Sequence, residues 1–382
     1  MHPRDPFDPD LVPLARVTGE GAVSLILPTT QAPRLTHTDR SRLAMLARVA
    51  AEQLEQLERL GDPVAPATLA SLRRAVAAAH DQPAEHGLAL FARDDVAAAL
   101  PVPSKVPERL VIGRRFSLVD VLRARQWAPP VHLLVIQGDR AVVRTGRLGT
   151  TLADAGGAFP VVQQADRGAF LRRVVAALVE LTAADPLPVV VVSDTAGFAR
   201  FARSAPGVHL LGVVDHPSGP AAPARIERQA AGVVRGRVHE RCRRALAALA
   251  AARIRGLAHL GFDALRALDE DRAGSVLVLE SADGDGEADA AVGPPPARSW
   301  PDTDDVVDAV VAGAVRRGRE VLCIPAELGG AEPGVAFVPT ESSLHPAFAG
   351  PAWGPARGPA GRRTAPGTTA PRPRLHLVAG GS

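Results

Sequence analysis

Hydrophobic positions change period several times along this chain. In "DRSRLAMLARVAAEQLEQLERLG" the residues Leu43, Leu46, Ala50, Leu54 and Leu57 recur at helical spacing and Gly61 follows. That spacing predicts an amphipathic helix with its charges outward. "TLASLRRAVAAAH" predicts a second helix. "AVSLILPT" before them reads as a strand ended by Pro28, and "HGLALFA", "VAAALPVP" and "ERLVIG" after them read as strands. Together these segments predict a small α/β unit closing near Arg125.

A second region opens with "VHLLVIQGDRAVVRTGR", two apolar runs around Gly138-Asp139, which is a hairpin signal. "RGAFLRRVVAALVELTAA" then places Phe170, Val174, Ala177, Leu178 and Leu181 on one helical face. The unbroken runs "PVVVVSD" and "VHLLGVVDH" predict buried strands, with "TAGFARFARSA" as a helix between them. Strands alternating with helices imply a mainly parallel or mixed sheet.

The third region begins with "RGRVHERCRRALAALAAARIRG", a long helix with Val238, Cys242, Ala245 and Leu249 inward and Arg237, Arg241 and Arg244 on another side. "GFDALRALDEDRAGSVLVLES" reads as helix, turn and buried strand. "DDVVDAVVAGAVRRGREVLCIP" repeats that pattern, and "GVAFVP" adds a strand. The predicted fold is therefore α/β: three consecutive α/β domains at 1–126, 131–234 and 235–340, with mixed sheets and helices packed on their faces. The Pro- and Gly-rich tail, 345–382, is expected to be disordered.

Composition narrows the function classes. At 382 residues and 46% hydrophobic content the chain can bury more than one core. No apolar run reaches the roughly 18 to 20 residues that span a bilayer, and the first residues carry no basic segment followed by an apolar one, so a cytoplasmic protein with no membrane partner is the expectation. The net charge is +3, and Lys105 is the only lysine among many arginines. Arginine forks match phosphate geometry, although GC-rich coding produces the same bias. An RNA partner fits this charge, and nothing in the sequence points to DNA.

Several enzyme chemistries lack their residues. No P-loop or Gly-x-Gly-x-x-Gly stretch follows a predicted strand. Ser193-Asp194 lacks the flanking glycines of a nucleophile elbow. His239 and Cys242 lie one helical turn apart, which is two ligands and too few for a metal. The run Asp283, Asp285, Glu287, Asp289 looks like a calcium loop, but Ala288 and Pro294 occupy its glycine and terminal acidic places. No metal and no cofactor are expected. Asp215 and His216, at the end of a buried strand, are the best remaining centre for an unknown substrate, with a turn-forming Asp-His-Pro as the plainer reading.

The order "HLLVIQGDRAVVRTGR", glycine loop, "FLRRVVAALVEL", "PVVVVSD", "HLLGVVDHPSG", long helix, "GFDALRALDEDRAGSVLVLE" resembles the middle and C-terminal domains of the archaeal and eukaryotic class-1 release factor and Pelota superfamily. The likeness covers roughly residues 131–340. Bacterial members with a divergent N-terminal domain resemble it most, through "SLILPT" and "GLALFA". The resemblance places the glycine loop where release factors carry a Gly-Gly-Gln tip, whose glutamine lies beside the attacking water. Here the residues are Gly156, Gly157 and Ala158, and an alanine side chain neither donates nor accepts. Gln163 and Gln164 follow, without a glycine pair before them.

What the resemblance implies is a ribosome- or RNA-binding factor acting in hibernation, rescue or stress protection without peptidyl-tRNA hydrolysis. Its expected phosphate contacts are Arg167, Arg172 and Arg173 beside the loop and Arg237, Arg241 and Arg244 on the long helix. The alternatives are an enzyme centred on Asp215 and His216, or an interaction scaffold recruiting a partner through the Pro-rich tail.

Overall fold

A computed structural model describes residues 11–59, 61, 65–150, 152–163, 166–193, 207–215, 222–280, 303–329 and 334–340. The helix expected in "TAGFARFARSA", the calcium-like run, the tail, Gln164 and His216 lie outside the described residues. The first half contains α1 (Leu11–Ala15), β1 (Ala22–Pro28), α2 (His37–Arg59), α3 (Ala65–His80), β2 (Gly87–Arg93), β3 (Val96–Val102), β4 (Arg109–Gly113) and α4 (Val119–Trp127). Next come β5 (Pro130–Gln137), β6 (Arg140–Arg147), β7 (Leu152–Asp154), β8 (Val161–Val162), α5 (Arg167–Ala184), β9 (Val189–Ser193), β10 (Leu210–Asp215) and α6 (Pro223–Ile254). The last are β11 (His259–Leu260), α7 (Phe262–Asp269), β12 (Gly274–Leu279), α8 (Thr303–Arg316), β13 (Glu320–Ile324), α9 (Ala326–Gly329) and β14 (Gly334–Pro339). Among the described residues this is mixed α/β structure with three sheets.

The described residues fall into two compact units, one holding residues up to Gln126 together with those from Cys242 onward, the other Trp127 to Arg241. The boundary read at 234/235 falls inside α6. That helix begins at Pro223, twelve residues before the predicted start, because proline at the first helical position has no amide to leave unpaired. Gly232 and Gly236 do not break it.

In the first unit β1 to β4 form an antiparallel sheet in the order β3-β2-β1-β4. Alternate residues of β1 and β2 point to opposite faces. Val23, Leu25, Leu27, Leu88 and Leu90 meet Leu43, Leu46, Ala50 and Leu54 of α2 and Leu72 and Ala75 of α3. Ala22, Ile26, Ala89 and Phe91 belong to a second cluster with Leu11 and Leu14 of α1, and with Ala264, Leu268, Val276, Val310 and Phe337 from the C-terminal segment. Covering both faces is the physical reason that "AVSLIL" is apolar almost throughout, where a half-exposed antiparallel strand would alternate.

The C-terminal segment forms a sheet in the order β11-β14-β12-β13, with β12 parallel to β13 and its other pairs antiparallel. Gly274 is required by close approach, since a Cβ there would lie 2.4 Å from the Phe337 ring and 2.5 Å from the Val338 carbonyl oxygen. The edge of β13 is occupied by the side chain of Gln126. Its amide donates to the Cys323 carbonyl and accepts from the Cys323 amide, both at 2.8 Å, and its Nε2 also lies 3.5 Å from Cys242 Sγ. Gln126 belongs to α4, a helix that the sequence reading missed because "SLVDVLRARQW" has β-branched residues and no helical apolar stripe. Asp120 in its first turn, 3% exposed, pairs with Arg123 at 2.9 Å and Arg109 at 3.5 Å.

In the second unit the sheet order is β10-β9-β5-β6-β7, with β8 also paired to β6. β9 and β10 run parallel to β5, and β6 antiparallel, so the sheet is mixed. Phe170, Val174, Ala177 and Leu178 of α5 pack on Leu134, Ile136, Val189 and Val191. α6 approaches β10 closely: a Cβ on Gly212 would lie 2.5 Å from Val233 Cγ1, and Arg237 Nε donates to the Leu211 carbonyl at 2.7 Å. His132 of β5 is fully buried, with Nδ1 2.8 Å from Thr145 Oγ1 and Nε2 2.8 Å from the Asp185 carbonyl. Burial is the largest influence on this imidazole and lowers its pKa below the usual 6.5, against the opposing pull of the Asp185 carbonyl.

Candidate functional site: an exposed glycine loop beside an arginine-bearing helix

The glycine loop interrupts an edge strand. β7 pairs with β6 through Arg144↔Asp154, Thr145↔Ala153 and Gly146↔Leu152, and β8 pairs with the same strand through Ala141↔Val161 and Arg140↔Val162. The Ala155 amide still donates to the Val143 carbonyl at 2.8 Å. β7 and β8 therefore read as one strand along β6, from which residues 156–160 make an excursion. Phe159 is buried in the core against α5 and anchors the return, whereas Gly156, Gly157 and Ala158 are exposed. Gly157 has φ +79°, a conformation open to glycine and costly for other residues. At Gly156 and Gly157 an added Cβ would meet nothing within 4 Å. The tip presents backbone amides and one methyl group, and offers no side-chain acid, base or nucleophile.

After β8 the chain enters α5. Asp166 caps it, its Oδ1 accepting from the Ala169 amide at 2.9 Å. That bond, chiefly, holds the carboxyl below the usual aspartate range, with the Gly168 amide and Arg172 adding to it and partial desolvation opposing. The three arginines expected beside the loop are all near the start of α5 but are used differently. Arg167 donates to the Gly138 carbonyl in the β5–β6 turn and lies 5.2 Å from the Phe170 ring centre. Arg173 donates to the Val162 carbonyl at 3.4 Å. Arg172 is exposed and points its charge towards Asp166.

The Gln163 amide donates to the Asp139 carbonyl at 2.7 Å, which ties the strand end to the hairpin turn. Arg140, the exposed first residue of β6, sits directly across from Val162 and joins this basic end of the unit. The sequence reading passed over it, although its place directly after the Gly138-Asp139 turn signalled a strand start at this end of the unit.

On α6 the arginines divide. Arg237 is half-exposed, donating to the Leu211 carbonyl and, at 2.8 Å, to Glu240. Arg241 is half-buried, and both charges act on His209, whose pKa is lowered first by burial and then by Arg237 and Arg241. Arg244 is exposed, as are Arg235 and Arg243, two further cations that the helical reading did not single out. His239 is engaged by the Trp127 ring, with centres 4.8 Å apart, and by the Arg235 carbonyl at 3.0 Å, while Cys242 is buried. Among the described residues no group of three His, Cys, Asp or Glu side chains could hold a metal.

Asp215 ends β10 opposite Ser193 of β9, and Ser193 is buried. His216, the other half of that candidate centre, lies outside the described residues. No helix among the described residues is long and apolar enough to cross a membrane.

Comparison with protein-family models and with curated proteins finds no match. Among solved structures, the chain is similar to an archaeal translation termination factor, aRF1, at 15% identity over 87% of this chain and 96% of that one, with a TM-score of 0.20. It is similar to Archaeoglobus fulgidus Pelota at 14% identity over 89% and 93% of the two chains, with a TM-score of 0.33. It is also similar to S. cerevisiae Dom34, a translation termination-like factor, at 9% identity over 66% and 80%, with a TM-score of 0.34. At these scores no geometry is carried from those structures to this one, and the proteins this chain is similar to are release factor and Pelota structures.

Proposed function

We propose that this protein is a translation-related factor that binds the ribosome or RNA and does not hydrolyse peptidyl-tRNA. The observation that carries this reading is the tip Gly156-Gly157-Ala158: exposed, conformationally permissive and without a side-chain functional group, at the place where the sequence resemblance puts a Gly-Gly-Gln tip. A protein that keeps such a loop without the residue beside the attacking water suits occupancy of a site better than chemistry in it. Hibernation, rescue and stress protection are all roles of that kind. Its setting is cytoplasmic, and its three regions at 1–126, 131–234 and 235–340 act as domains of unequal independence, since the first and most of the third share one compact unit.

Phosphate contacts are assigned first to Arg172, exposed beside the loop, with Arg173, also exposed, and Arg167 held towards the same end of the unit. On the long helix Arg244 serves this role most directly. Arg237 contributes through the charge it keeps while bracing β10 at the Leu211 carbonyl, and Arg241 through its charge beside His209.

The test is co-sedimentation with purified bacterial ribosomes at low and moderate salt, beside an Arg172→Glu/Arg173→Glu variant. Counterion release predicts saturable binding that weakens steeply with salt and is lost in the variant. Absence of binding at both salts overturns the reading. A peptidyl-tRNA hydrolysis assay accompanies it, with no turnover expected from the wild type. Turnover would overturn the non-hydrolytic part alone.

A further inference from the structure

Four large apolar residues among the described ones are exposed, and three of them, Ile254, Leu260 and Phe262, fall within one short stretch of the C-terminal segment. This stretch runs from the last residue of α6 through β11 to the first residue of α7. The helix ends at Ile254, the chain turns at Gly256 with φ +67° and the Leu257 amide donating back to the Ala252 carbonyl at 2.9 Å, and it then enters β11, an edge strand of its sheet. Ile254 is 88% exposed, Phe262 71% and Leu260 45%. The buried face of α7 is made by Ala264, Ala267 and Leu268, so Phe262 contributes little to it.

The register of β11 fixes what its edge offers. His259 pairs with Phe337 and Leu260 with Ala336, and the Gly261 amide donates to the Val335 carbonyl at 2.9 Å. In an antiparallel ladder, residues two apart share the same hydrogen-bonding direction. Gly261 and His259 therefore face β14, and the amide and carbonyl of Leu260 face outward. Among the described residues no strand pairs with that side of β11, and an edge of this kind flanked by exposed apolar side chains is the arrangement to which an extended peptide adds as a further strand.

Charge around the patch selects the partner. Arg253, Arg255 and Arg266 are exposed around it, and of the exposed acidic residues nearby only Asp263 makes no ion pair among the described residues. The other acidic residues nearby are matched within the fold: Glu270 by Arg272 at 2.7 Å, Asp269 by Arg317 at 2.9 Å and Asp271 by Arg319 at 2.8 Å. The geometry points to β11 and its flanks as a docking edge for an extended segment of a partner protein in which acidic and apolar residues alternate. That segment pairs its main chain with Leu260, lays an apolar side chain on Phe262 and sets carboxylates against Arg253, Arg255 and Arg266. This surface belongs to a different compact unit from the glycine loop, and the inference does not rest on ribosome binding.

A random heptapeptide display library selected on the full chain tests this, with enriched peptides synthesised and titrated by fluorescence anisotropy. The expected consensus alternates acidic and apolar residues. Affinity should fall roughly tenfold or more in Phe262→Asp, a loss typical of a central apolar anchor, and fall again in Arg253→Glu/Arg255→Glu. Leu260→Pro should weaken binding while leaving the β14 ladder intact, because the amide it removes faces outward. Unchanged melting of Phe262→Asp shows that the loss is not unfolding. No enrichment on the wild type, a consensus without acidic residues, or peptides that bind Phe262→Asp equally well would overturn the proposal. So would self-association of the wild type that Phe262→Asp abolishes, since the edge would then belong to a second copy of the chain.

Discussion

The sheet of β1 to β4 and the sheet of β5 to β10 use their strands in opposite ways. The first is covered on both faces, by α2 and α3 on one and by the C-terminal segment on the other. Its strands are unbroken and largely apolar. The second carries on its outer side a strand broken into β7 and β8, and the residues spared from pairing form the exposed glycine tip. A fully covered sheet has no position where the chain can leave the ladder without exposing core. An edge strand has, and loops that carry function sit on such edges of a rigid scaffold.

The contrast is broken most severely by Phe337→Ala. Phe337 is fully buried in the cluster that unites the N- and C-terminal segments. Emptying its place should cost about 3 to 5 kcal/mol. If the cluster is one cooperative core, hydrogen exchange will accelerate in β1 and β2 as well as in β12 and β14. Exchange confined to the C-terminal strands would show two separate cores.

A smaller and pH-dependent effect belongs to the second unit. His132 is fully buried and its pKa lies below the usual 6.5, so the folded state binds its proton less readily than the unfolded state. Stability from this group is fully present above the unfolded value of about 6.5 and is lost as pH falls below it towards the folded pKa. Melting of the second unit should therefore weaken on acidification through that window, followed by exchange in β5 and β9. His132→Asn should flatten the dependence; an unchanged slope would remove His132 as its source.

The smallest effect sharpens the comparison at the tip itself. Gly157→Val should cost about 1 kcal/mol, because its φ of +79° strains any residue with a Cβ. Gly156→Ala, with open space around it, should be close to neutral. Equal melting temperatures for the two variants would show that the loop relaxes freely around either residue.

Much of this was legible in the sequence. The faces of α2 and α5 follow from spacing alone, and Leu43, Leu46, Ala50, Leu54, Phe170, Val174 and Leu178 are all buried where periodicity puts them. The β5–β6 hairpin turns at Gly138-Asp139 as that pair predicts, with Gly138 at φ +56°. The early start of α6 and the existence of α4 were not legible. Helix α4 gains its stability from partners distant in sequence: Asp120 with Arg109, and Gln126 with Cys323.

The site divides along the same line. The glycine pair, the missing glutamine and the nearby arginines stand in the sequence as printed, since each is a matter of residue type and local order. The commitments of those arginines do not. Arg167 reaches a carbonyl twenty-nine residues away and Arg237 one twenty-six residues away. The open main-chain edge at Leu260 depends likewise on its register with Ala336. Local periodicity is set by neighbours three or four positions off, and it determined the elements, their buried faces and the chemistry absent from the tip. Pairing register, the sharing of a core between the chain's two ends and the partner each cation finds are long-range choices, made only when the packed structure brings those residues together.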